Sequence, residues 1–82
     1  MEIRHKIHRD PRLDDLLGKR VLVTFKDGCM CVGLLYFNRY RGRYCMHEYK
    51  FTRVQDGAVM SGTGYAYISF AKSNMKGVEV IE

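Results

Sequence analysis

The residues best suited to chemistry form one basic and aromatic segment, Asn38-Arg39-Tyr40-Arg41-Gly42-Arg43-Tyr44. A guanidinium group binds a phosphate through two parallel hydrogen bonds, and a tyrosine ring stacks on a base. Interleaved arginines and tyrosines therefore predict a nucleic-acid site made of Asn38, Arg39, Tyr40, Arg41, Arg43 and Tyr44. The alternative is an ordinary solvated hairpin turn whose arginines maintain solubility.

A second short segment, Lys72-Ser73-Asn74, offers related chemistry. Lysine neutralises a phosphate, while serine and asparagine hydrogen-bond to a base edge or to the ribose 2′-hydroxyl. We therefore add Lys72, Ser73 and Asn74 to the candidate nucleic-acid site. In the alternative interpretation the segment is a 3₁₀ turn whose Ser73 and Asn74 side chains bond their own backbone. Residues 1–9 form a basic arm that could add phosphate contacts, although a solvated tail is favoured.

The residues that could ligate a metal are His47 and three cysteines, Cys29, Cys31 and Cys45. A hairpin that turns near Tyr40 places Cys45 opposite Tyr36. The same register places Cys31 opposite Lys50. The pair Cys29 and Cys31 therefore lies apart from Cys45 and His47 along the sheet. Zinc sites also favour wider spacings than Cys-x-Cys. We therefore expect buried cysteines that act as small apolar side chains, and no metal site.

The sequence shows no pattern typical of an enzyme. Its serines have no plausible base partner in sequence, and its glycines do not match the spacing of a phosphate-binding or dinucleotide-binding loop. Acidic residues occur together at Asp14-Asp15, which we place in the first turns of a helix, where the helix dipole favours them. We expect no catalytic residues and no cofactor.

Composition limits the possibilities further. The 82 residues suffice for one domain, residues 10–82, after the basic arm. A net charge of +5 favours polyanionic partners. Three cysteines, an odd number, argue against a disulfide framework and favour a reducing cytoplasm. No apolar run has transmembrane length, and the arm lacks the apolar core of a signal peptide, so no membrane partner is expected.

The positioning elements begin with a helix and a hairpin. Asp10-Pro11 predicts a helix start, and Gly18 a helix end after an apolar stripe of Leu13, Leu16 and Leu17. We expect that helix to lie across the open end of a barrel. Alternation then predicts a strand with a buried face formed by Val21, Val23 and Phe25. Asp27-Gly28 predicts a type I′ turn.

The rest of the sequence predicts four further strands. The next strand, residues 29–38, puts Cys31, Gly33, Leu35 and Phe37 on one face, with Gly33 allowing a sharp bend. A third strand follows at 44–54, a turn at 55–64, a fourth strand at 65–70, a short turn at 71–75 and a final strand at 78–81.

Residues 13–37 resemble the first Sm motif of the Sm-like (LSm/Hfq) family. The shared features are the helix end, Gly18-Lys19, the alternating apolar residues, Lys26-Asp27-Gly28, and Gly33 with Leu35. The resemblance implies an all-β fold, a small, strongly bent, five-stranded SH3-like barrel with a short N-terminal helix. It also implies a homo-oligomeric ring, a hexamer or heptamer, closed by pairing between the last two strands of neighbouring subunits. Single-stranded RNA or a short oligonucleotide would bind at the pore through residues 38–44 and 72–74.

The last segment departs from the family's second motif. The Arg-Gly pair of the eukaryotic and archaeal pattern falls on Ala71-Lys72, and the histidine of the bacterial pattern falls on Ser73. A second hypothesis therefore stays open: a ring-forming protein-interaction or inhibitor module, of a kind that a mobile element could encode. Its loop would bind an acidic partner or a small nucleotide.

Overall fold

A computed structural model describes residues 10–81. These residues form a helix, α1 (Pro11–Asp14), and the strands β1 (Arg20–Phe25), β2 (Met30–Asn38), β3 (Arg43–Thr52), β4 (Val59–Phe70) and β5 (Met75–Val80), with a 3₁₀ turn at Lys72–Asn74. The strands make one antiparallel sheet in the order β4-β3-β2-β1-β5. The predicted five-stranded, mainly β architecture is confirmed. Because β4 and β5 are the two edges and do not pair with each other among the described residues, the barrel is not closed. The predicted arm, residues 1–9, lies outside this range.

Helix α1 begins as predicted but is shorter than expected. The Asp10 side chain accepts a hydrogen bond from the Arg12 backbone N–H at 2.9 Å, and Pro11 occupies the first turn. The helix ends at Asp14, and turns continue to Gly18, whose φ is +83°. Gly18 N–H donates to the Leu35 carbonyl at 2.7 Å, so pairing with β2 replaces the last helical turn. Leu13 is buried in the core.

The turn between β1 and β2 is tight, but it is not type I′. Gly28 has φ +94°, whereas Asp27 does not have positive φ. Gly28 N–H donates to the Phe25 carbonyl at 2.9 Å, and Phe25 N–H donates to the Cys29 carbonyl at 2.8 Å. This is the pattern of a type I turn followed by a glycine bulge. The Cys29 N–H donates to Asp27 Oδ1 at 3.0 Å and, together with a contact from the Cys29 side chain, lowers the pKa of Asp27.

The core lies on the side of the sheet that the alternation predicts. Val21, Val23, Phe25, Cys31 and Leu35 are all buried, which confirms the predicted strand faces. The partly buried residues packed against this core include Leu16, Leu17 and Phe37. Cys29 and Cys45 are buried as well, as expected of small apolar side chains. Among residues 10–81, no helix combines the length and apolarity needed to cross a membrane.

The pairing of β2 with β3 is interrupted at Gly33 by a β-bulge, a feature that bends and twists the strand that contains it. Their register shifts between Val32 and Leu34, opposite Glu48, which has φ +49°. A Cβ atom on Gly33 would lie 2.8 Å from the His47 carbonyl oxygen, so only glycine allows this approach. Cys45 pairs with Tyr36 as predicted. Beyond the bulge the register moves by one residue.

That shift corrects one predicted pair. Cys31 lies opposite Phe51, and Lys50 lies opposite Val32. The prediction of Cys31 opposite Lys50 assumed an uninterrupted hairpin, and the bulge at Glu48 adds one residue to β3.

Strand β4 begins earlier than the sequence predicts. The predicted turn over residues 55–64 is wrong in its second half, since β4 starts at Val59 and includes the glycine-rich residues 61–64. Gly62 pairs with Tyr49, and a Cβ atom there would lie 2.6 Å from Tyr49 Cε1. The glycine therefore makes room for a ring on the neighbouring strand. Long-range pairing outweighs the local turn preference of the segment.

The same strand contains four extra residues that interrupt its pairing with β3. His47 pairs with Tyr67 and Tyr49 pairs with Gly62, so residues 63–66 stand opposite Glu48 alone. Gly64 has φ +66°, and its N–H donates to Glu48 Oε2 at 2.9 Å. We call residues 63–66 the β4 bulge. Strand β5 also starts earlier than predicted, at Met75 rather than at residue 78.

Candidate nucleic-acid interface

The turn between β2 and β3 is organised by its first predicted site residue, Asn38. Its Oδ1 accepts hydrogen bonds from the backbone N–H groups of Tyr40 at 3.0 Å and Arg41 at 3.2 Å. The Gly42 N–H donates to the Asn38 carbonyl at 2.8 Å, with Gly42 at φ +66°. These bonds give Asn38 a positioning role, since its side-chain oxygen is used to shape the turn.

The turn presents its charged and aromatic side chains to solvent. Arg39, Arg41 and Arg43 are exposed, and Tyr40 is 98% exposed. Within residues 10–81, no carboxylate forms an ion pair with any of these three arginines. The three guanidinium groups can bind the phosphates of a single strand without breaking existing ion pairs, and the exposed ring can stack on one of its bases.

Tyr44, the last residue of the predicted segment, belongs to the core. Its ring is 1% exposed and packs against Phe37 and Phe70 at centroid distances of 5.0 and 6.4 Å. The expectation that Tyr44 stacks on a base does not fit this position. Tyr44 is the second residue of β3, directly after the exposed Arg43, and the alternation along the strand turns Tyr44 towards the core. Tyr40 is therefore the tyrosine of this turn that is free to stack.

The second predicted segment forms the 3₁₀ turn Lys72–Asn74 that joins β4 to β5. The Asn74 carbonyl accepts a hydrogen bond from Lys26 N–H at 2.8 Å, which fixes the turn against the end of β1. Ser73 and Asn74 are exposed, and within the described chain no side chain caps the turn. Lys72 Nζ lies 4.0 Å from Asp10 Oδ2, a weak contact at a partly exposed site.

The sheet brings the two predicted segments to the same end of the fold. Tyr44 pairs with Phe70, so the start of β3 lies beside the end of β4. The arginine turn precedes Tyr44, and the Lys72–Asn74 turn follows Phe70. Four cationic side chains therefore lie at one end of the sheet: Arg39 and Arg41 in the turn, Arg43 at the start of β3 and Lys72 in the 3₁₀ turn.

A shallow groove of about 350 Å³ lies next to this turn on the sheet face opposite the core. Its lining includes Tyr36, Arg39, Tyr40, His47 and Tyr67. Sequence reasoning did not identify it, because its residues come from three strands and a turn. The signal present in the sequence is the outward position of Tyr36, His47 and Tyr67 once the strand register is known.

Two buried thiols, Cys31 in the core and Cys45 beside the groove, are neutral at physiological pH. Burial raises the pKa of Cys31 to about 11 and also raises the pKa of Cys45. Cys45 Sγ lies 3.7 Å from His47 Nε2. Within residues 10–81, no three potential ligands among histidine, cysteine, aspartate and glutamate come together as a metal site would require.

Comparison with known proteins points to one fold. No family model matches the sequence, and no curated protein matches it. Among solved structures, a heptameric archaeal Sm protein is 20% identical, with a TM-score of 0.62, over 89% of this chain and 100% of that one. The P. aerophilum SmAP1 heptamer is 21% identical, with a TM-score of 0.62, over 87% of this chain and 89% of that one.

A third similar chain comes from a different kind of assembly. A chain in the crystal structure of the NatC complex bound to CoA is 15% identical, with a TM-score of 0.59, over 100% of this chain and 91% of that one. All three likenesses extend over most of the chain, and they agree with the bent five-stranded sheet described above. Residues 10–81 therefore have an Sm-like fold.

Proposed function

We propose that this protein is a ring-forming Sm-like protein that binds single-stranded RNA or a short oligonucleotide at the end of the sheet that carries Arg39, Arg41, Arg43 and Lys72. The observation that carries the proposal lies at the β2–β3 turn, where Tyr40 is 98% exposed and the exposed Arg39, Arg41 and Arg43, the last at the start of β3, have no ion-pair partners in residues 10–81. The arginines capture the phosphate backbone, and Tyr40 stacks on a base.

The proposed ring rests on the open edges of the sheet. Within residues 10–81, β4 and β5 each have one unpaired edge, and both strands expose apolar side chains, including Val59, Met60 and Val80. Pairing β4 of one subunit with β5 of the next satisfies these edges and closes a ring. Two of the similar structures are heptamers, which supports a ring of that size for this chain. A ring repeats the arginine turn in every subunit, so weak contacts add along one strand.

Binding, rather than catalysis, is the activity we propose, without a metal or cofactor, and we place the protein in the cytoplasm. The test is native mass spectrometry of the freshly purified protein with and without nuclease. A hexamer or heptamer whose mass falls after nuclease treatment is expected. A protein that stays monomeric and binds neither a U-rich nor an A-rich oligonucleotide in low salt would contradict the proposal.

A second candidate function is a ring-forming or complex-forming protein-interaction module. Two observations favour it: Ser73 stands where the bacterial Sm-like pattern has a histidine, and the NatC complex contains a chain of the same fold. The exposed arginines would then bind an acidic partner surface. The same purification distinguishes the two, because this module would carry no nucleic acid and would bind no labelled oligonucleotide.

A further inference from the structure

Three aromatic rings form a ladder across the outer face of the sheet. Tyr36 on β2 lies edge-on to His47 on β3, with ring centroids 5.2 Å apart and an interplanar angle of 83°. His47 stacks on Tyr67 of β4 at 5.5 Å and 29°. The core residues Tyr44 and Met46 alternate with His47 along β3, so the ladder faces away from the core.

The ladder leaves substantial ring surface in contact with solvent. Tyr36 is 42% exposed and Tyr67 is 40% exposed. Together with Tyr40 from the turn, they line the open groove of about 350 Å³, which is near the lower end of the volumes of small-ligand sites. Cross-strand ring pairs also stabilise a sheet, but that role requires neither the exposed faces nor Tyr40, which lies outside every strand.

The electrostatics of the groove favour an anionic ligand with a planar group. Arg39 lines the groove without an ion-pair partner among residues 10–81, and no aspartate or glutamate contributes to the lining. Cys45 lies at its floor as a neutral thiol, because burial raises its pKa. A nucleotide combines the two features that this surface can bind, a stacking base and a phosphate. An apolar peptide would leave Arg39 unused, and an acidic peptide would leave the rings unused.

We propose that this groove is a base-stacking subsite for single-stranded nucleic acid, in which a base lies against Tyr36 and Tyr40 and its phosphate pairs with Arg39. The inference rests on the proposed nucleic-acid function and extends the site from the turn onto the outer face of the sheet. A strand bound by the arginine turn would thus continue over the edge of β2 and β3. The residue that this subsite adds to the contacts of the turn is Tyr36, on the outer face of β2.

The chain itself supplies two probes of the groove. It contains no tryptophan, so its intrinsic fluorescence comes from tyrosine. His47 is the single histidine in residues 10–81, and its ring protons report directly on the ladder in NMR spectra. Titration of the full-length protein with oligouridylate and oligoadenylate hexamers is expected to shift the His47 ring signals and to quench tyrosine fluorescence.

Substitution separates the groove from the turn. Tyr36→Ala is expected to weaken oligonucleotide binding by about 5- to 150-fold, with an unchanged salt dependence, because stacking releases no counterions. Tyr65→Ala is the matched control, since Tyr65 is fully exposed but lies in the β4 bulge outside the groove. Circular dichroism checks that both variants fold. The His47 signals of the wild-type protein test the groove even if Tyr36→Ala does not fold.

The outcomes distinguish a failure of the proposed nucleic-acid function from a failure of the groove subsite alone. A wild-type protein that binds no oligonucleotide in low salt contradicts both the proposed function and the subsite. A wild-type protein that binds oligonucleotides while the His47 signals stay in place, or while Tyr36→Ala binds as tightly as Tyr65→Ala, keeps the proposed function and overturns the subsite. In that case the groove serves another class of partner.

Discussion

The hydroxyl of Tyr44 donates a hydrogen bond to the carboxylate of Asp14, with 2.9 Å between Tyr44 Oη and Asp14 Oδ1. The same hydroxyl accepts a hydrogen bond from the Asp10 backbone N–H at 2.7 Å. Asp10 and Asp14 stand at the start and the end of α1, so one buried ring fastens this helix to β3. The residue directly before Tyr44 is Arg43, which places this attachment beside the candidate site.

Tyr44→Phe tests this attachment. The substitution keeps the ring but removes the hydroxyl, and the Asp10 N–H loses its acceptor. We expect the free energy of unfolding to fall by about 1–3 kcal/mol, measured by urea denaturation followed by circular dichroism. Tyr40→Phe is the control, because its ring is 98% exposed, and it should change stability by less than about 0.5 kcal/mol. Equal losses in both variants would show that the hydroxyl of Tyr44 contributes nothing specific.

Gly33→Ala tests the bend between β2 and β3. The added Cβ would lie 2.8 Å from the His47 carbonyl oxygen and 3.2 Å from Tyr49 Cα, so backbone atoms must move. We expect a loss of about 1–3 kcal/mol in thermal or urea denaturation. Gly77→Ala in β5 provides the comparison, because nothing lies within 4 Å of its added Cβ. If Gly33→Ala proved as stable as Gly77→Ala, the close approach at the bulge would be disproved.

The alternation of apolar residues and the Asp27-Gly28 pair were sufficient to predict β1, β2 and their buried face, because these depend on neighbours close in sequence. The beginning of β4 was not predictable in that way. Residues 61–64 have turn chemistry, and only the ring of Tyr49 on the partner strand explains why Gly62 lies in a sheet.

The candidate site, like the fold, was predictable from the sequence only in part. The composition of the β2–β3 turn indicated Arg39, Tyr40, Arg41 and Arg43, all of which are exposed. It could not show that Tyr44 faces the core, since its inward direction depends on the position at which the strand resumes after the turn. The groove was missed because its aromatic rings become neighbours only through the register of three strands.

Replacing the three arginines of the turn tests the proposed phosphate contacts. A triple variant, Arg39→Ala with Arg41→Ala and Arg43→Ala, should weaken oligonucleotide binding and flatten its dependence on salt. Each lost phosphate contact lowers the log–log slope by roughly 0.7 for a single strand. Fluorescence anisotropy at several salt concentrations measures both effects.

Arg53→Ala supplies the control for charge removal. Arg53 follows the opposite end of β3 and lies 3.4 Å from Asp56 in an exposed ion pair. Its loss should leave both the affinity and the salt dependence nearly unchanged. A triple variant that behaves like Arg53→Ala would move the binding site away from the β2–β3 turn.

Val80→Lys tests the proposed ring edge. Val80 lies on β5 and is 41% exposed in the single subunit, where a neighbouring β4 would cover it. A charge there should shift the species seen by light scattering from a hexamer or heptamer towards the 9.6 kDa subunit. Val54→Lys, at a 55% exposed position after β3, should leave the assembly intact. If the oligomer dissociated in both variants, or in neither, the result would argue against pairing through β5.

The buried thiol of Cys31 predicts a pH dependence of stability. Burial raises the pKa of Cys31 from 9.0 to about 11, so the folded state holds its proton more tightly than the unfolded state. The associated stability is complete below pH 9.0 and is lost as the pH rises through about 11. Urea midpoints measured across this range should fall more steeply for the wild-type protein than for Cys31→Ala. Parallel curves for the two proteins would contradict the assignment.

The β4 bulge bears on how readily this chain could form amyloid fibrils. Amyloid fibrils grow when an exposed, uninterrupted strand of six or seven residues templates the addition of further chains. The bulge divides the pairing of β4 into two runs of four residues, Val59–Gly62 and Tyr67–Phe70. Neither run is long enough for a steric zipper. If the proposed ring forms, a newly made subunit would therefore expose this apolar edge before assembly with little risk of seeding a fibril.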